Sequence, residues 1–371
     1  MKTAATEMFD IEVPIFAFSH CRDVVVEVSK SGGLGVLGCA YLTPEQLQME
    51  LEWIDRHVGG KPYGVDFLMP KNYDSVKEAS KMAIADLPRE QLEFMRDVCD
   101  EAGIPRLPEA EAEKMLLEEI SHIHMTPEQN RELVEVALRH PIKLVVNALG
   151  TPPKDLVDRF HTMGIKVGAM IGKVEHALAQ RDAGVDLVIA QGSEAGGHTG
   201  KISSIVLWSQ VIDAVAPIPV LAAGGIGRGR QMAAAIALGA EGVWCGSIWL
   251  ATQQSELLPE MKQRLFEAKA EDAIQSRVRT GKPCRLLRSK LTDAWNRPDA
   301  PPTLPMPLQT IVMSEARLRV DRARAKEYMT YPVGQIVAEM KHEAAVKQVI
   351  YDIMVEFLSL AERFERLVAS D

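Results

Sequence analysis

The sequence predicts an α/β protein built on a (β/α)8 TIM barrel. Short apolar runs alternate with segments of helical periodicity, which is the pattern of parallel strands joined by helices. Eight such runs precede residue 255, and several of them are apolar throughout, as strands buried on both faces are. A doubly wound open sheet is the alternative, and the number of runs favours the closed barrel.

The eight predicted strands follow one another along the first two thirds of the chain. They cover residues 14–18, 34–38, 63–68, 143–147, 166–171, 187–190, 220–223 and 242–245. Gly184 and Gly239 end the helices before two of these strands, because glycine readily takes the conformation that closes a helix. Thr126-Pro127-Glu128 begins another helix, with a polar cap followed by proline in the first turn.

Two regions depart from this alternation. The barrel is expected over residues 11–255, with a charged, helix-favouring insertion at about 71–125, after the third strand. Residues 256–371 are expected to form a helical C-terminal extension. Its proline-rich segment, residues 297–307, is expected to cross the barrel mouth or to contact a neighbouring subunit. Helical periodicity in the extension predicts helices at residues 260–270 and 337–368.

The amino-acid composition argues against several classes of binding partner. The 371 residues carry a formal net charge of −9, which argues against a nucleic-acid partner and against an anionic membrane surface. The five cysteines are scattered without a C-x-x-C pair, so neither a disulfide framework nor a zinc site is expected. No apolar run approaches the ~18 residues of a membrane helix, and the first residues lack the apolar core of a signal peptide. A cytoplasmic protein that acts on small molecules is expected.

A glycine-rich loop follows the sixth predicted strand. Residues 191–200 contain four glycines and one histidine, His198. Glycines let the backbone approach a ligand closely and adopt positive φ angles. A histidine among them is suited to acid–base chemistry, because its ordinary pKa of ~6.5 lies near neutrality. The alternative interpretation is a mobile loop with an incidental histidine.

Two shorter glycine loops follow the seventh and eighth predicted strands, at residues 223–229 and 245–247. Neighbouring strand ends of this kind, one leading into a helix, form a phosphate site from backbone N–H groups and the helix dipole. The spacing does not match G-x-G-x-x-G, and no acidic residue follows at the distance that a dinucleotide site requires. The loops therefore favour a mononucleotide phosphate.

These three loops, in this order and spacing, resemble the FMN-dependent nitronate monooxygenase family, also called the 2-nitropropane dioxygenase family. The resemblance is carried by Gln191-Gly192-x-Glu194-Ala195-Gly196-Gly197-His198-x-Gly200, then Ala223-Gly224-Gly225-Ile226, then Gly246-Ser247. It covers about residues 11–255 and implies a TIM barrel that holds FMN without a covalent bond. The wider group includes flavin enoyl-ACP reductases and NAD(P)H:quinone reductases.

The resemblance also implies roles for individual residues, with His198 as the active-site histidine. Asp66 stands where relatives usually have asparagine, and Phe18-Ser19-His20 stands where many have Ala-Pro-Met. An ionised carboxylate only accepts hydrogen bonds, so Asp66 is expected to contact different flavin groups than an amide would. The implied FMN contacts are Ala17, Phe18, Ser19, Asp66, Gln191, Gly196, Gly197, Gly224, Gly225, Trp244, Cys245, Gly246 and Ser247.

Two further residues at strand ends, His20 and Asn147, are predicted to contact substrate, because catalytic residues of barrels come from these ends. Cys21 has two interpretations, a reactive thiol or a buried cysteine at a helix start. Glu194 either orients a ring nitrogen of His198 or points to solvent. Lys201 and Arg228 either neutralise phosphate charge or are ordinary exposed cations.

His122 and His124 are interpreted as part of a solvated helix end, and no metal site is predicted, because zinc requires more ligands at suitable spacing.

Three activities remain open at this stage. The first is the oxidation of alkyl nitronates with O2 to carbonyl compounds and nitrite. The second is an NAD(P)H-dependent reduction of quinones or enoyl thioesters on the same flavin, and the third is a barrel that binds phosphorylated metabolites without redox chemistry. The C-terminal helices are compatible with a homodimer.

Overall fold

The strands of the computed structural model account for every apolar run identified in the sequence. The model describes residues 1–69, 87–121 and 127–369. In chain order the strands are β1 Ile15–Ser19, β2 Leu34–Gly38, β3 Tyr63–Phe67, β4 Leu144–Asn147, β5 Lys166–Ile171, β6 Leu187–Gln191, β7 Gly197–His198, β8 Val220–Ala223, β9 Gly242–Cys245, β10 Ala273–Ser276 and β11 Cys284–Leu287.

Eight of these strands form a closed parallel barrel. Their order is β1-β2-β3-β4-β5-β6-β8-β9, and β9 pairs with β1 to close it. The register places Phe16 opposite Leu34 on one side of β1 and opposite Trp244 on the other. The predicted (β/α)8 barrel is therefore confirmed, and each predicted strand lies within a residue of the observed one at either end.

The helices surround the barrel and make up most of the extension. The α-helices are Ala4–Phe9, Arg22–Lys30, Pro44–His57, Arg89–Glu101, Glu109–Ser121, Pro127–Ala137, Lys154–Thr162, Val174–Asp182, Ser204–Val215, Gly229–Ala237, Pro259–Glu267, Lys290–Ala294, Leu308–Arg322 and Val346–Val368. Short 3-10 helices lie at Ser247–Ala251, Ala270–Asp272, Lys326–Tyr328 and Gln335–Glu339. None of the helices in the described ranges is both long enough and apolar enough to cross a bilayer.

Side chains alternate between the barrel interior and the layer beneath the helices, as the period of two in a strand requires. Alternate residues such as Phe16, Leu144 and Leu187 form one buried cluster inside the barrel. Their neighbours along the strands, such as Ala17 and Val145, pack in the larger cluster under the helices. Interior-facing side chains near the carboxyl ends of the strands therefore point toward the barrel mouth.

The amino-terminal helix covers the opposite end of the barrel. Thr3 caps this helix, and its hydroxyl also donates to the carbonyl of Glu241 at 2.7 Å. Phe9 packs edge-on against Phe16, with ring centroids 5.6 Å apart, inside the same buried cluster. The base of the barrel is thus filled with apolar side chains, and the cavity described below lies at the carboxyl ends of the strands.

The extension contains more than the predicted helices. β10 and β11 pair antiparallel, and β11 pairs in turn with β7, so that Cys284 lies opposite His198. The predicted helix at 337–368 is wrong in its first third: the regular helix begins only at Val346, and residue Ala344 bridges to Thr252 of the barrel. Contact with the barrel outweighs the helix propensity of this stretch. The boundaries 11–255 and 256–371 remain predictions.

The described part of the insertion is helical, as predicted, and packs against the extension. The guanidinium of Arg319, which is fully buried, donates to Asp100 Oδ1 at 2.6 Å. Arg96 forms an ion pair with Glu315 at 2.8 Å. Both pairs join the helix Arg89–Glu101 to the helix Leu308–Arg322. Residues 71–86 and 122–125 of the predicted insertion, with His122 and His124, lie outside the described residues.

Candidate active site

A cavity of about 640 Å³ opens at the carboxyl ends of the barrel strands. Strand ends and glycine loops of the barrel form one part of its wall, and residues of the extension form the other. Met306 of the proline-rich segment also reaches this cavity. The predicted site residues that line it are Phe18, Ser19, His20, Asp66, Gln191, Gly196, Gly197, His198, Gly224, Gly225, Trp244, Cys245, Gly246 and Ser247.

Ala17 and Asn147 do not line this cavity, and their predicted contacts with FMN and with substrate stay predictions. Ala17 is fully buried in the cluster beneath the helices, since its neighbour Phe16 faces the barrel interior. Asn147 follows the inward-facing Val146 and is also fully buried. Its Oδ1 accepts from the backbone N–H of Met69 at 3.0 Å, and its amide donates to the carbonyl of Gly150 at 3.1 Å. Its role in the structure is to hold two loops.

Aromatic rings form part of the cavity wall beside the first and last strands. Phe18 and Trp244 stack with ring centroids 6.2 Å apart and planes inclined by 29°. Phe18 also meets the ring of His20 edge-on at 5.1 Å. His20 Nδ1 lies 3.1 Å from the carbonyl oxygen of Gly38. These contacts fix the imidazole of His20 and offer a flat apolar surface to a planar ligand.

Asp66 is the buried polar group at the end of β3. Its Oδ2 has no hydrogen-bond partner among the described residues, although the side chain is almost fully buried. Burial raises the pKa of this carboxyl well above its usual value. A neutral carboxyl group can donate as well as accept a hydrogen bond, which corrects the expectation of an acceptor-only group. An unpaired buried oxygen facing a cavity is the arrangement that a polar ligand would complete.

The loop after β8 needs glycine at two successive positions. Gly224 and Gly225 have φ angles of +99° and +72°. A Cβ atom on Gly224 would lie 2.8 Å from Ser204 Oγ. Ser204 is itself held by Glu194, which accepts from its backbone N–H at 2.9 Å and from its hydroxyl at 2.8 Å. Glu194 therefore supports the glycine loop, and neither predicted role for it, orienting His198 or pointing to solvent, is observed.

The extension covers this loop from the other side. The backbone N–H of Gly334 donates to Ser247 Oγ at 2.9 Å, and the N–H of Gln335 donates to the carbonyl of Glu194 at 2.9 Å. A Cβ on Gly196 would lie 2.8 Å from backbone atoms of Val333 and Gly334. Gly196 and Gly224 therefore have no room for a side chain, whereas a Cβ on Gly225 or Gly246 would meet no atom closer than 3.4 Å.

His198 lies on β7, between the barrel and the extension. Its Nε2 is 2.8 Å from Thr280 Oγ1, and its ring is accessible from the cavity. Burial among surrounding protein lowers the pKa of His198, and the positive charges of Lys282 and Arg279 lower it further. The imidazole is consequently neutral at pH 7 and has a free lone pair for a proton.

His20 is held neutral for the same leading reason. Burial lowers its pKa, the contact with the Gly38 carbonyl opposes this, and the charge of Arg279 lowers it again. Two neutral imidazoles therefore line one cavity, and the positive charge of Arg279 lowers the pKa of both.

Sequence motifs did not indicate the residues that the extension contributes. Arg279, Thr280, Lys282 and Tyr331 all line the cavity. They fall in irregular segments of the extension, where no apolar periodicity or glycine pattern marks them. Arg279 lies in a polar stretch with Arg277, Lys282 and Arg285 nearby, so no local signal distinguishes it.

The remaining candidates are less suited to chemistry. Burial raises the pKa of the Cys21 thiol to about 11, and its Sγ donates to the carbonyl of Gln254, so the buried interpretation applies. Arg228 pairs with Glu339 at 2.9 Å and Glu356 at 2.7 Å instead of facing the cavity. Lys201 is exposed and does not line the cavity.

A closed parallel barrel with glycine loops at the ends of its last strands and a neutral histidine beside them defines a flavin-dependent oxidoreductase of the TIM-barrel class. The family model described as nitronate monooxygenase matches residues 2–356. The chain therefore belongs to the nitronate monooxygenase family. Its similarity to individual proteins extends over nearly the whole chain.

Three relatives illustrate that similarity. A Mycobacterium tuberculosis protein, provisionally named a monooxygenase, is 44% identical over 99% of this chain and all of its own length. A Staphylococcus aureus protein, provisionally named a nitronate monooxygenase, is 28% identical over 80% of this chain and 81% of its own. The solved structure of a nitroalkane oxidase from Streptomyces ansochromogenes is 25% identical, with a TM-score of 0.77 over 98% of this chain and 100% of its own.

The family is flavin-dependent, which agrees with the FMN that the resemblance implied and with the mononucleotide phosphate that the glycine loops predicted. The cavity fits FMN on two structural grounds. The unpaired Oδ2 of Asp66 can be completed by a polar edge of the flavin, and the backbone of Gly224, Gly225 and Gly246 is open to a phosphate. The family match argues against a barrel without redox chemistry.

Proposed function

We propose that the protein is an FMN-dependent nitronate monooxygenase that uses O2 to oxidise alkyl nitronates to carbonyl compounds and nitrite. The observation that carries the proposal is the neutral His198 on the wall of the FMN-sized cavity, within 2.8 Å of Thr280. Bound FMN supplies the electron acceptor for the substrate and the route by which electrons reach O2.

The cavity suits an anionic substrate. A nitronate already carries the negative charge that a neutral nitroalkane gains only on losing its α-proton. Arg279 and Lys282 place positive charge near His198, and such charge stabilises a nitronate before it reacts. The stacked Phe18 and Trp244 exclude water from one side of the cavity. For a nitronate, the chain therefore needs to bind and orient the substrate, and no protein base is required.

A neutral nitroalkane requires a base, and His198 is the proposed one. The Thr280 hydroxyl lies 3.3 Å from the carbonyl oxygen of Lys282 and can donate to it. In that arrangement Thr280 accepts the Nε2–H of His198, which leaves the lone pair on Nδ1 to take the α-proton. Thr280 is thus proposed as a positioning residue that selects the tautomer, and His198 as the catalytic residue.

The proposal is tested by mixing the purified protein anaerobically with a nitronate, with NADH and with NADPH while following the flavin absorbance. Rapid bleaching by the nitronate supports the proposal. Bleaching only by a nicotinamide supports the alternative, a reductase of quinones or enoyl thioesters. The role of His198 as base is tested with His198→Asn. This variant should lose activity on a neutral nitroalkane by about 100-fold or more and retain most nitronate oxidation. Equal losses on both substrates would contradict the role of His198 as base.

A further inference from the structure

Arg279 is a partly buried cation in the wall of the cavity, and no carboxylate of the described residues forms an ion pair with it. It borders both the main cavity and a smaller one of about 180 Å³. Its guanidinium lies over the ring of Tyr331, 5.7 Å from the centroid, which fixes its position but neutralises no charge. Within the described ranges, neither a carboxylate nor a carbonyl oxygen accepts a hydrogen bond from this side chain.

Three other shielded arginines of the extension donate to oxygen atoms of the protein. Arg319 donates to Asp100 at 2.6 Å and to the carbonyl of Ile104 at 2.6 Å. Arg264 donates to the carbonyl oxygens of Lys326 and Glu327 at 3.0 and 2.8 Å. Arg285 donates to the carbonyl of Ser193 at 2.9 Å. Arg279 has no such acceptor among the described residues, so its N–H donors are available to a ligand in the cavity.

The charges around Arg279 favour an anion. Shielding from water lowers the pKa of Arg279, and the positive charge of Arg317 lowers it further, to about 10. Lys282 lines the same cavity. Glu256, exposed at the rim, and Asp321, in the smaller cavity, are the nearby carboxylates, and neither forms an ion pair with Arg279 within 4.0 Å. Arg279 remains protonated at pH 7, since its pKa is still well above neutrality.

The position of Arg279 separates it from the phosphate loops. The positive charge of Arg279 helps to lower the pKa of His20 and of His198. Cys284, Tyr331 and Tyr41 in turn favour the charged form of Arg279 and raise its pKa. Cys284 lies opposite His198 in the β11–β7 pair. The phosphate loops are covered instead by the segment around Gly334. Arg279 therefore belongs to the part of the cavity that contains the histidines.

We infer that Arg279 binds an oxyanion, a carboxylate or a phosphate group, that the substrate carries away from its reacting carbon. A guanidinium presents a fork of N–H donors that matches either group. The inference rests on the proposed function for the reaction at the flavin, whereas oxyanion binding is measured without turnover. Arg279 is thus the residue that selects substrates with a second anionic group over substrates that have only the nitronate.

Binding is tested by calorimetric titration of the FMN-loaded protein with butyrate, propyl phosphate and butanol. We expect butyrate or propyl phosphate to bind and butanol not to bind, and the tighter of the two identifies the oxyanion. Arg279→Gln should weaken that binding by about 10- to 100-fold, and Arg279→Lys should recover part of it. Lys347→Gln, which removes an exposed charge in the first turn of the last helix, is the matched control and should leave binding unchanged. Failure of both anions to bind, or equal binding by Arg279→Gln, would overturn the inference.

Selectivity is tested with the nitronates of 4-nitrobutanoate and 1-nitrobutane. Arg279→Gln should raise KM about 10- to 100-fold for the nitronate of 4-nitrobutanoate and change it less than ~3-fold for that of 1-nitrobutane, which has the nitronate charge but no carboxylate. Equal increases, or loss of FMN from both Arg279→Gln and Arg279→Lys, would show a structural role and overturn the inference. If no nitronate is oxidised while calorimetry still shows Arg279-dependent binding, the proposed function fails and the oxyanion site stands.

Discussion

The two parts of the cavity wall differ in the atoms that they present to a ligand. The barrel loops around Gly224 and Gly246 present backbone, and a Cβ on Gly224 would lie 2.8 Å from Ser204 Oγ. The extension presents the side chains of Arg279, Thr280 and Tyr331. Backbone donors suit a constant group such as a phosphate, whereas side chains set charge and proton affinity. We therefore propose that the barrel loops hold the phosphate of the cofactor and that the extension sets charge and proton affinity at the substrate.

The largest effect on binding is expected when a glycine of the barrel loops is replaced by alanine. Gly224→Ala should weaken FMN binding by about 10- to 100-fold, because the residue has a φ of +99° and its Cβ would lie 2.8 Å from Ser204 Oγ. The dissociation constant is measured by fluorescence as FMN is added to the protein freed of flavin.

Gly59→Ala is the matched control for this prediction. Gly59 also has a positive φ, +64°, but no atom lies within 4 Å of the added Cβ. The control therefore carries backbone strain without a clash in the cavity. Similar FMN affinities for the two variants would contradict the assignment of the phosphate loop.

A smaller effect is expected from the extension part. Thr280→Val removes the hydroxyl that faces His198 Nε2 at 2.8 Å and keeps the shape of the side chain. We expect kcat/KM to fall about 10-fold for a neutral nitroalkane and less than ~3-fold for a nitronate, because only the former needs the base. FMN affinity should not change.

Thr199→Val tests whether this effect is specific. Thr199 follows His198 in sequence, but its hydroxyl accepts from Gln275 at 2.9 Å and does not touch the imidazole. A comparable loss in both variants would show that the loop as a whole is sensitive and would remove Thr280 from its positioning role.

The attachment of the extension to the barrel is expected to depend on Glu356. Burial disfavours the charge on this carboxylate, but hydrogen bonds from Arg228 and Arg230 outweigh burial and lower its pKa to about 2. Because the pKa is lower in the folded than in the unfolded protein, the ion pairs stabilise the fold fully above pH ~5 and less as the pH falls toward 2. Glu356→Gln should lower the free energy of unfolding by about 1 kcal/mol at pH 7.

Urea unfolding at pH 7 and at pH 3 measures this contribution. The deficit of Glu356→Gln should be smaller at pH 3, where the wild-type carboxylate is partly protonated. Glu365→Gln, on the exposed part of the same helix, should match the wild type at both values. A deficit independent of pH would mean that packing, and not charge, is lost.

The smallest expected effect is a shift in the pH dependence of kcat/KM for a neutral nitroalkane. The positive charge of Lys282 lowers the pKa of His198, so Lys282→Met should raise it. A base works only when it is deprotonated, so activity on a neutral nitroalkane falls as the pH drops through this pKa. The acidic limb of kcat/KM should therefore move to higher pH in the variant, and Lys341→Met, an exposed control, should not move it. A shift toward lower pH would contradict the electrostatic account.

The barrel part of the wall could be predicted from sequence because its signals are local. Apolar runs indicate strands buried on both faces, and glycines such as Gly224 indicate loops that approach other backbone closely. Position near a strand end did not show that Ala17 and Asn147 are fully buried and do not line the cavity.

The extension part could not be predicted, because its signals depend on contacts across the chain. β10 and β11 have four residues each and become a sheet only by pairing with each other and with β7. The contact between Thr280 and His198 joins residues 82 positions apart. No pattern within either segment encodes it, and Arg279 differs from any surface arginine only in what surrounds it.

The pairing of β7 with β11 has an evolutionary consequence. Main-chain bonds hold the strand of His198 in place, so the imidazole keeps its position whichever side chains occupy the neighbouring turn. Substitutions around Arg279 can therefore change which substrates bind, while the proposed base His198 and the FMN site stay unchanged. Divergence of substrate scope among relatives is expected to concentrate in that turn.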